Sequence, residues 1–217
     1  MTEINAWLRR TLPLLFDRDG GIKSPEIPIF PLNAVLFPGG LLPLRIFEQR
    51  YMDMAKNCLR DDRPFGVCLI KEGEEVGAAA VPEEVGCLAR ITNWDMPQLG
   101  ILNLETVGVQ RFAIQQPRVE DRGLVVATVA MVSAETPQAV PESLQPCVKV
   151  LRQIVDKVGA DKFASPLQYD DAVWVGYRLA EVLPLKVSAR QSMLEMNDPI
   201  MRLQILHKFL KQQGLGG

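Results

Sequence analysis

The chain has 217 residues, of which 47% are hydrophobic and 23% charged, so it can bury a core without disulfides or metals. Lysine and arginine total 24 against 26 acidic residues, which argues against a protein whose main task is gripping nucleic-acid backbones. Four cysteines without a C-x-x-C pair indicate buried thiols rather than a disulfide scaffold, and a single histidine leaves little for a metal site.

The N-terminus does not resemble a signal peptide. Glu3 lies where a positive region is required, and the apolar run at 12–16 is short and contains Pro13. No window approaches the roughly 18 apolar residues of a membrane span. We therefore expect a cytoplasmic protein without membrane contact. Its N-terminal extension, residues 1–25, could form an extra strand or helix, and Trp7, Leu8, Leu12 and Leu15 are apolar enough to dock on the C-terminal helical bundle.

The first two-thirds of the chain predict short strands and one helix. The predicted strands cover 26–30, 34–37, 41–46, 65–71, 85–95, 99–107, 109–116 and 124–132. Apolar residues at helical spacing predict a helix over 47–60, with Arg50 on its solvent face. Many short strands with little room for crossover helices favour a closed or nearly closed barrel.

After residue 140 the sequence predicts helices only, which would pack as a small bundle. One helix ends at Gly159, after an apolar stripe at 144–158. The other three have N-terminal signals: Asp170 or Asp171 before a helix that runs to about 183, Ser188 with Gln191 as a capping box, and Asp198 before Pro199. The expected fold class is therefore α+β. We divide it into the extension, a barrel at 26–135, a linker at 136–146, a bundle at 147–212 and a frayed tail at 213–217, with a flexible acidic insertion at 72–84.

Chemistry-bearing motifs are absent from the sequence. No glycine-rich phosphate loop, G-x-S-x-G elbow or H-E-x-x-H helix occurs, so we predict no catalytic residue, cofactor or metal. The remaining catalytic constellation is a cysteine beside His207. The apolar surroundings of Cys58, Cys68 and Cys87 favour buried, unreactive thiols instead.

The segment at 30–45 combines large apolar residues with Pro31, Pro38 and Pro43. Because proline cannot donate to a β-ladder, these positions indicate sheet edges, turns or bulges. Such an edge beside apolar pockets could accept an extended peptide. The alternative is that the same side chains form the barrel core.

Four blocks of the sequence resemble the N-terminal, substrate-binding domain of Lon protease. The first and most specific is Ile-Pro-Ile-Phe-Pro-Leu-Asn-Ala-Val-Leu-Phe-Pro-Gly-Gly-Leu-Leu-Pro-Leu-Arg-Ile-Phe at 27–47, and the others lie at 85–91, 106–112 and 179–203. The resemblance implies a PUA-like β pseudo-barrel with one early helix, followed by a C-terminal α-helical bundle. Within it, we expect Gly39 and Gly108 to adopt positive φ and Arg111 to satisfy loop carbonyls.

The resemblance also implies a function, which is recognition of unfolded or partly unfolded proteins and peptides. This chain contains neither the ATPase module nor the Ser–Lys protease site of Lon, so we expect a stand-alone, non-enzymatic binding module. The alternative is a PUA-like protein that binds nucleic acid or a small ligand. Action with a separate protease and homo-oligomerisation stay open. We expect peptide contacts near the strand-to-helix junction, at Leu42, Leu44, Phe47 and Tyr51.

Overall fold

The computed structural model of the protein describes residues 24–215, which form seven β-strands and five α-helices. The strands are β1 (Glu26–Leu32), β2 (Leu41–Ile46), β3 (Phe65–Glu72), β4 (Val81–Pro82), β5 (Val85–Gln98), β6 (Ile101–Val119) and β7 (Val125–Met131). The helices are α1 (Gln49–Asp61), α2 (Gln145–Val158), α3 (Ala172–Val182), α4 (Val187–Glu195) and α5 (Pro199–Gln212). The expected docking of Trp7, Leu8, Leu12 and Leu15 lies outside the described residues.

Five of the strands form a closed ring. They pair antiparallel in the order β1-β7-β6-β5-β3, and a parallel pairing of β1 with β3 closes the ring. Strand β2 pairs with the first part of β6, and the short β4 pairs with β3. This ring and the helices confirm the predicted α+β class and pseudo-barrel. Closure of the ring pairs the strand edges that an open sheet would leave exposed.

Strand β6 is one continuous strand of 19 residues, where the sequence predicted two strands separated at Gly108. The φ angle of Gly108 is not positive, so the expectation of a left-handed turn there was wrong, whereas Gly39 has φ +72° as predicted. Glycine is required at 108 for space, since a Cβ there would overlap the carbonyl oxygen of Phe37.

The predicted strand at 34–37 is not formed. This segment leads into a turn whose backbone hydrogen bonds join it to β6: Gly39 N–H donates to the Gly108 carbonyl, and Gly108 N–H donates to the Gly40 carbonyl, both at 2.8 Å. Its alternating apolar residues serve two different cores. Leu36 is buried in the barrel and Phe37 among the helices, so the alternation does not reflect a half-buried strand.

Helix α1 packs its apolar stripe, which the sequence predicts, against side chains of the barrel core. Tyr51 is buried, and its ring lies 4.2 Å from that of Phe30 between centroids. Arg50 is also buried, which contradicts its predicted solvent exposure. Its guanidinium donates to the Gly123 carbonyl at 2.9 Å and lies over the Tyr51 ring, so a distant loop supplies the partner that burial requires.

Three of the predicted helix terminal signals are confirmed. Gly159 ends α2, the Asp171 side chain accepts from the Val173 N–H at the start of α3, and Asp198 accepts from two N–H groups at the start of α5. The predicted Ser188–Gln191 capping box is wrong, because α4 begins at Val187. Gln191 donates instead to the Val85 carbonyl of β5 at 3.0 Å.

A set of buried polar side chains joins the barrel to the helices, and we call it the buried polar seam: Arg111, Glu135, Tyr177, Arg178, Glu181 and Arg202. Glu135 accepts from the Tyr177 hydroxyl and lies 3.2 Å from Arg111 Nη2 and 2.6 Å from Arg202 Nη2. Arg111 also donates to two carbonyl oxygens at the end of α4, which confirms its predicted role. Each charge of the seam therefore has an oppositely charged partner, and only the Glu181 side chain, 23% exposed, reaches solvent.

Arg178 holds the turn that precedes β2. Its guanidinium donates to the carbonyl oxygens of Gly39 and of Pro38, the latter at 2.9 Å, and to Glu181 at 2.7 Å. The Arg178 side chain is 1% exposed. Helix α3 therefore fixes the backbone from which β2 begins.

Candidate functional site

A pocket of about 230 Å³ lies between β1, β2 and the start of α1, and we call it the β2 pocket. Apolar side chains dominate its lining, which consists of Phe30, Leu32, Pro43, Leu44, Arg45, Ile46, Phe47, Glu48, Tyr51, Glu75 and Val76. Phe47 and Val76 are 57% and 56% exposed, so the mouth of the pocket offers large apolar surface to solvent. Such concave, mainly apolar surfaces are typical of binding sites.

Three of the four predicted contact residues line the β2 pocket. Phe47 precedes α1 and projects into solvent, whereas Leu44 and Tyr51 are 8% and 3% exposed and form the pocket wall from the core side. Leu42 is half-buried and lies outside the pocket, where its carbonyl accepts from the Thr106 hydroxyl at 2.7 Å. Phe47 is therefore the predicted residue that is most accessible to a ligand.

The acidic segment at 72–84 contributes the outer wall of the β2 pocket. It contains the short strand β4, and Glu75 accepts a hydrogen bond from the Asn33 N–H. This contact places Glu75 and Val76 at the pocket mouth. A segment predicted as a flexible insertion thus takes part in the site.

A second hollow, of about 430 Å³, shares Pro43, Leu44 and Arg45 with the β2 pocket. We call it the Trp94 hollow, because Trp94 is among its lining residues together with Asn93, Asp95, Asn103, Leu104 and Glu105. The register explains this grouping, since Pro43 is opposite Glu105, and Arg45 is opposite Asn103. The two hollows together form the β2 surface.

A sequence model described as the ATP-dependent protease La (Lon) substrate-binding domain matches residues 26–212. The chain belongs to this family. A Lon N-terminal domain protein from Xanthomonas campestris has a crystal structure that aligns with this Lon domain at a TM-score of 0.71 and 37% identity. The alignment covers 83% of this chain and 96% of that one.

Two further relatives share lower sequence identity with this Lon domain. The N-terminal domain of a Mycobacterium avium complex Lon protease shares the fold at a TM-score of 0.55 and 15% identity, covering 86% of this chain and 98% of that one. Lon protease 2 of Myxococcus xanthus is 27% identical over 197 residues, or 86% of this chain and 24% of that protein. The chain therefore spans about a quarter of the length of the Lon proteases that it matches.

The four cysteines of this Lon domain are buried, and none of them forms a disulfide. Burial raises the pKa of the Cys58 and Cys147 thiols to about 11 and that of Cys87 to about 12, and it raises the pKa of Cys68 as well. His207 Nε2 makes no hydrogen bond within the described residues. No hydrogen bond between a cysteine thiol and His207 Nε2 is therefore present within residues 24–215, and burial favours the protonated thiol over the thiolate.

Several arginines outside the seam pair with nearby carboxylates. A hollow of about 660 Å³ beside α1 contains Arg118 and Arg122, but Arg118 pairs with Glu26 at 2.7 Å and Arg122 with Asp53 at 3.1 Å. Residues 24–215 contain no group of acidic, histidine and cysteine side chains placed to hold a metal. No helix among them is long and apolar enough to cross a bilayer.

Sequence reasoning missed the Trp94 hollow. Trp94, Asp95 and Glu105 lie in a predicted strand or near its end, and nothing in their local pattern distinguishes them from an ordinary solvent-facing hairpin. Only the pairing of β5 with β6, and of β6 with β2, brings them beside Arg45. The sequence therefore contains no local signal for this hollow.

Proposed function

We propose that this Lon substrate-binding domain is a non-enzymatic module, without ATPase or protease activity of its own, that binds exposed apolar segments of unfolded or partly unfolded proteins. The observation that supports the proposal is the β2 pocket, where the exposed side chains of Phe47 and Val76 surround a wall of buried apolar residues. An apolar side chain from a partner would remove this surface from water, and that transfer is favourable.

The β2 backbone provides a further means of holding an extended segment. Within residues 24–215, β2 pairs with β6 alone, so its second edge has no strand partner there. Pro43 lacks an N–H, which limits how many hydrogen bonds a partner strand could form with this edge. Recognition would therefore rely on the pocket more than on the backbone, which suits a module that accepts many sequences.

Binding of a labelled, permanently unfolded model protein to the purified 217-residue protein tests this function by fluorescence anisotropy. We expect salt-tolerant binding that weakens about 10-fold in Phe47→Ser, because burial of a phenylalanine contributes roughly 1.5–3 kcal/mol. Val158→Ser is the matched control, since Val158 is 48% exposed on α2 and lies outside the β2 surface.

Two outcomes would contradict the proposal. Equal losses of affinity in Phe47→Ser and Val158→Ser would show that the β2 pocket does not take part in binding. Binding of a short single-stranded RNA alone, weakening steeply between about 50 and 200 mM salt, would instead support the PUA-like nucleic-acid alternative. Phe47 is more informative than Tyr51, because Tyr51 is buried and its removal would also destabilise the fold.

A further inference from the structure

We propose that the preferred occupant of the β2 surface is an extended segment in which a large apolar side chain is accompanied by a lysine or arginine. This inference rests on the proposed function and adds a charge requirement to it. The apolar side chain would enter the β2 pocket, and the cationic side chain would enter the Trp94 hollow. Both hollows include Pro43, Leu44 and Arg45, so a segment that crosses β2 at these residues contacts both.

The charges that line the β2 surface are mainly negative. Four carboxylates, those of Glu48, Glu75, Asp95 and Glu105, accompany a single cation, Arg45. Arg50, buried behind the pocket, lies 3.0 Å from Glu48 and offsets one of the four. The surface thus keeps an excess of negative charge, although the whole chain is almost neutral at −2. A cationic partner gains from this field, and an acidic peptide or a phosphate backbone is repelled by it.

Two of these carboxylates are unpaired. Asp95 and Glu105 form no ion pair with any residue in the described part of the chain, and both are exposed. By contrast, several exposed acids elsewhere have arginine partners, as Glu26 has in Arg118. Arg45 also lacks an ion-pair partner among residues 24–215, so it does not neutralise the carboxylates of Asp95 and Glu105 through a direct pair.

The strand register places the Asp95 and Glu105 carboxylates on one face of the sheet and the Trp94 side chain on the other. Trp94 is 55% exposed, and Asp95 follows it directly in β5. Asn93, on its other side, is paired in register with Glu105. A lysine or arginine side chain that crosses β2 beside Arg45 would bring its head group to these two carboxylates, which lie on the same face of the sheet.

The test compares three synthetic peptides of equal length that contain the same central phenylalanine and are flanked by lysine, serine or glutamate. We expect the lysine peptide to bind about 3- to 10-fold more tightly than the serine peptide at about 50 mM salt, with the advantage shrinking at about 200 mM. The glutamate peptide is expected to bind most weakly. The double variant Asp95→Asn/Glu105→Gln should lose the lysine advantage and keep the affinity for the serine peptide.

The matched control is Glu142→Gln/Asp161→Asn, which removes the same charge from exposed positions outside the β2 surface and should preserve the lysine advantage. Equal loss of the advantage in both double variants would reduce the effect to net charge and overturn the proposal. Equal affinity of the wild-type protein for the lysine and serine peptides would overturn it as well and leave the proposed function intact. If no peptide and no unfolded protein binds, the proposed function itself fails.

Discussion

Charged side chains occur both in the buried polar seam and on the β2 surface, but their surroundings differ. In the seam, Glu135 is 4% exposed and has three partners, two of them arginines that are also buried. On the β2 surface, Asp95 and Glu105 are exposed and have no ion-pair partner within residues 24–215. The compensated charges of the seam connect the helices to the barrel, whereas the exposed, unpaired carboxylates of the β2 surface can interact with a ligand.

Removal of the central acid of the seam is expected to have the largest effect. Glu135→Ala leaves Arg111 and Arg202 buried without their counter-ion, and we expect it to lower the free energy of unfolding by about 3–5 kcal/mol. Urea denaturation followed by tryptophan fluorescence measures the change. Arg118→Ala, which breaks a half-exposed pair with Glu26, should cost less than about 1 kcal/mol. Similar losses of unfolding free energy in Glu135→Ala and Arg118→Ala would show that the buried pairs of the seam stabilise the fold no more than an exposed pair does.

The second prediction concerns pH and Glu181, the seam carboxylate beside Arg178. Burial raises the pKa of Glu181 to about 7, against the opposing effect of Arg178 and a weaker one of Arg190. The native state therefore holds this proton more tightly than the unfolded chain. Protonation of Glu181 therefore contributes fully to the free energy of unfolding below about pH 4.5. This contribution declines as the pH rises and is lost above about pH 7.

The variant Glu181→Gln, which cannot ionise, isolates this contribution. Between pH 5 and pH 8, we expect the wild-type protein to lose about 1–3 kcal/mol more stability than Glu181→Gln does. Urea denaturation of both proteins at the two pH values gives the difference, in which the titration of other groups cancels. Parallel stability–pH curves would show that Arg178 keeps Glu181 ionised throughout.

The smallest effect is expected at the tip of the β5–β6 hairpin. Leu99 is 97% exposed and lines neither the β2 pocket nor the Trp94 hollow. We therefore expect Leu99→Ser to change the free energy of unfolding by less than about 0.5 kcal/mol and to leave binding of the unfolded model protein unchanged. A loss of affinity comparable to that of Phe47→Ser would extend the binding surface to the hairpin tip.

Local signals in the sequence predicted much of the fold. The caps at Asp171 and Asp198 and the stop at Gly159 act within one helical turn, so the sequence contains the information needed to place them. Gly108 was misinterpreted, because the need for glycine there comes from Phe37, which lies far away in the sequence. Arg50 was placed in solvent for the same reason, since its partner is the distant Gly123 carbonyl.

The candidate site was predicted only in part. Phe47 and the pocket wall at Leu44 and Tyr51 belong to one contiguous segment of strand and helix, and its apolar character is visible in the sequence. The Trp94 hollow depends on three strands meeting, so its residues acquire their relation to Arg45 only in the folded sheet. The charge surplus of the β2 surface could not be predicted either, because the composition is nearly balanced.

The contacts of Arg178 have a consequence for the choice of protein fragments. This arginine belongs to α3, yet its guanidinium donates hydrogen bonds to the carbonyl oxygens of Pro38 and Gly39, shortly before β2. A fragment that ends after β7 would contain every strand but would lack the donor that holds this turn. Its β2 could then adopt other positions, and its affinities would describe a different surface. Fragments prepared for ligand screening or antibody selection against β2 should therefore extend through α5.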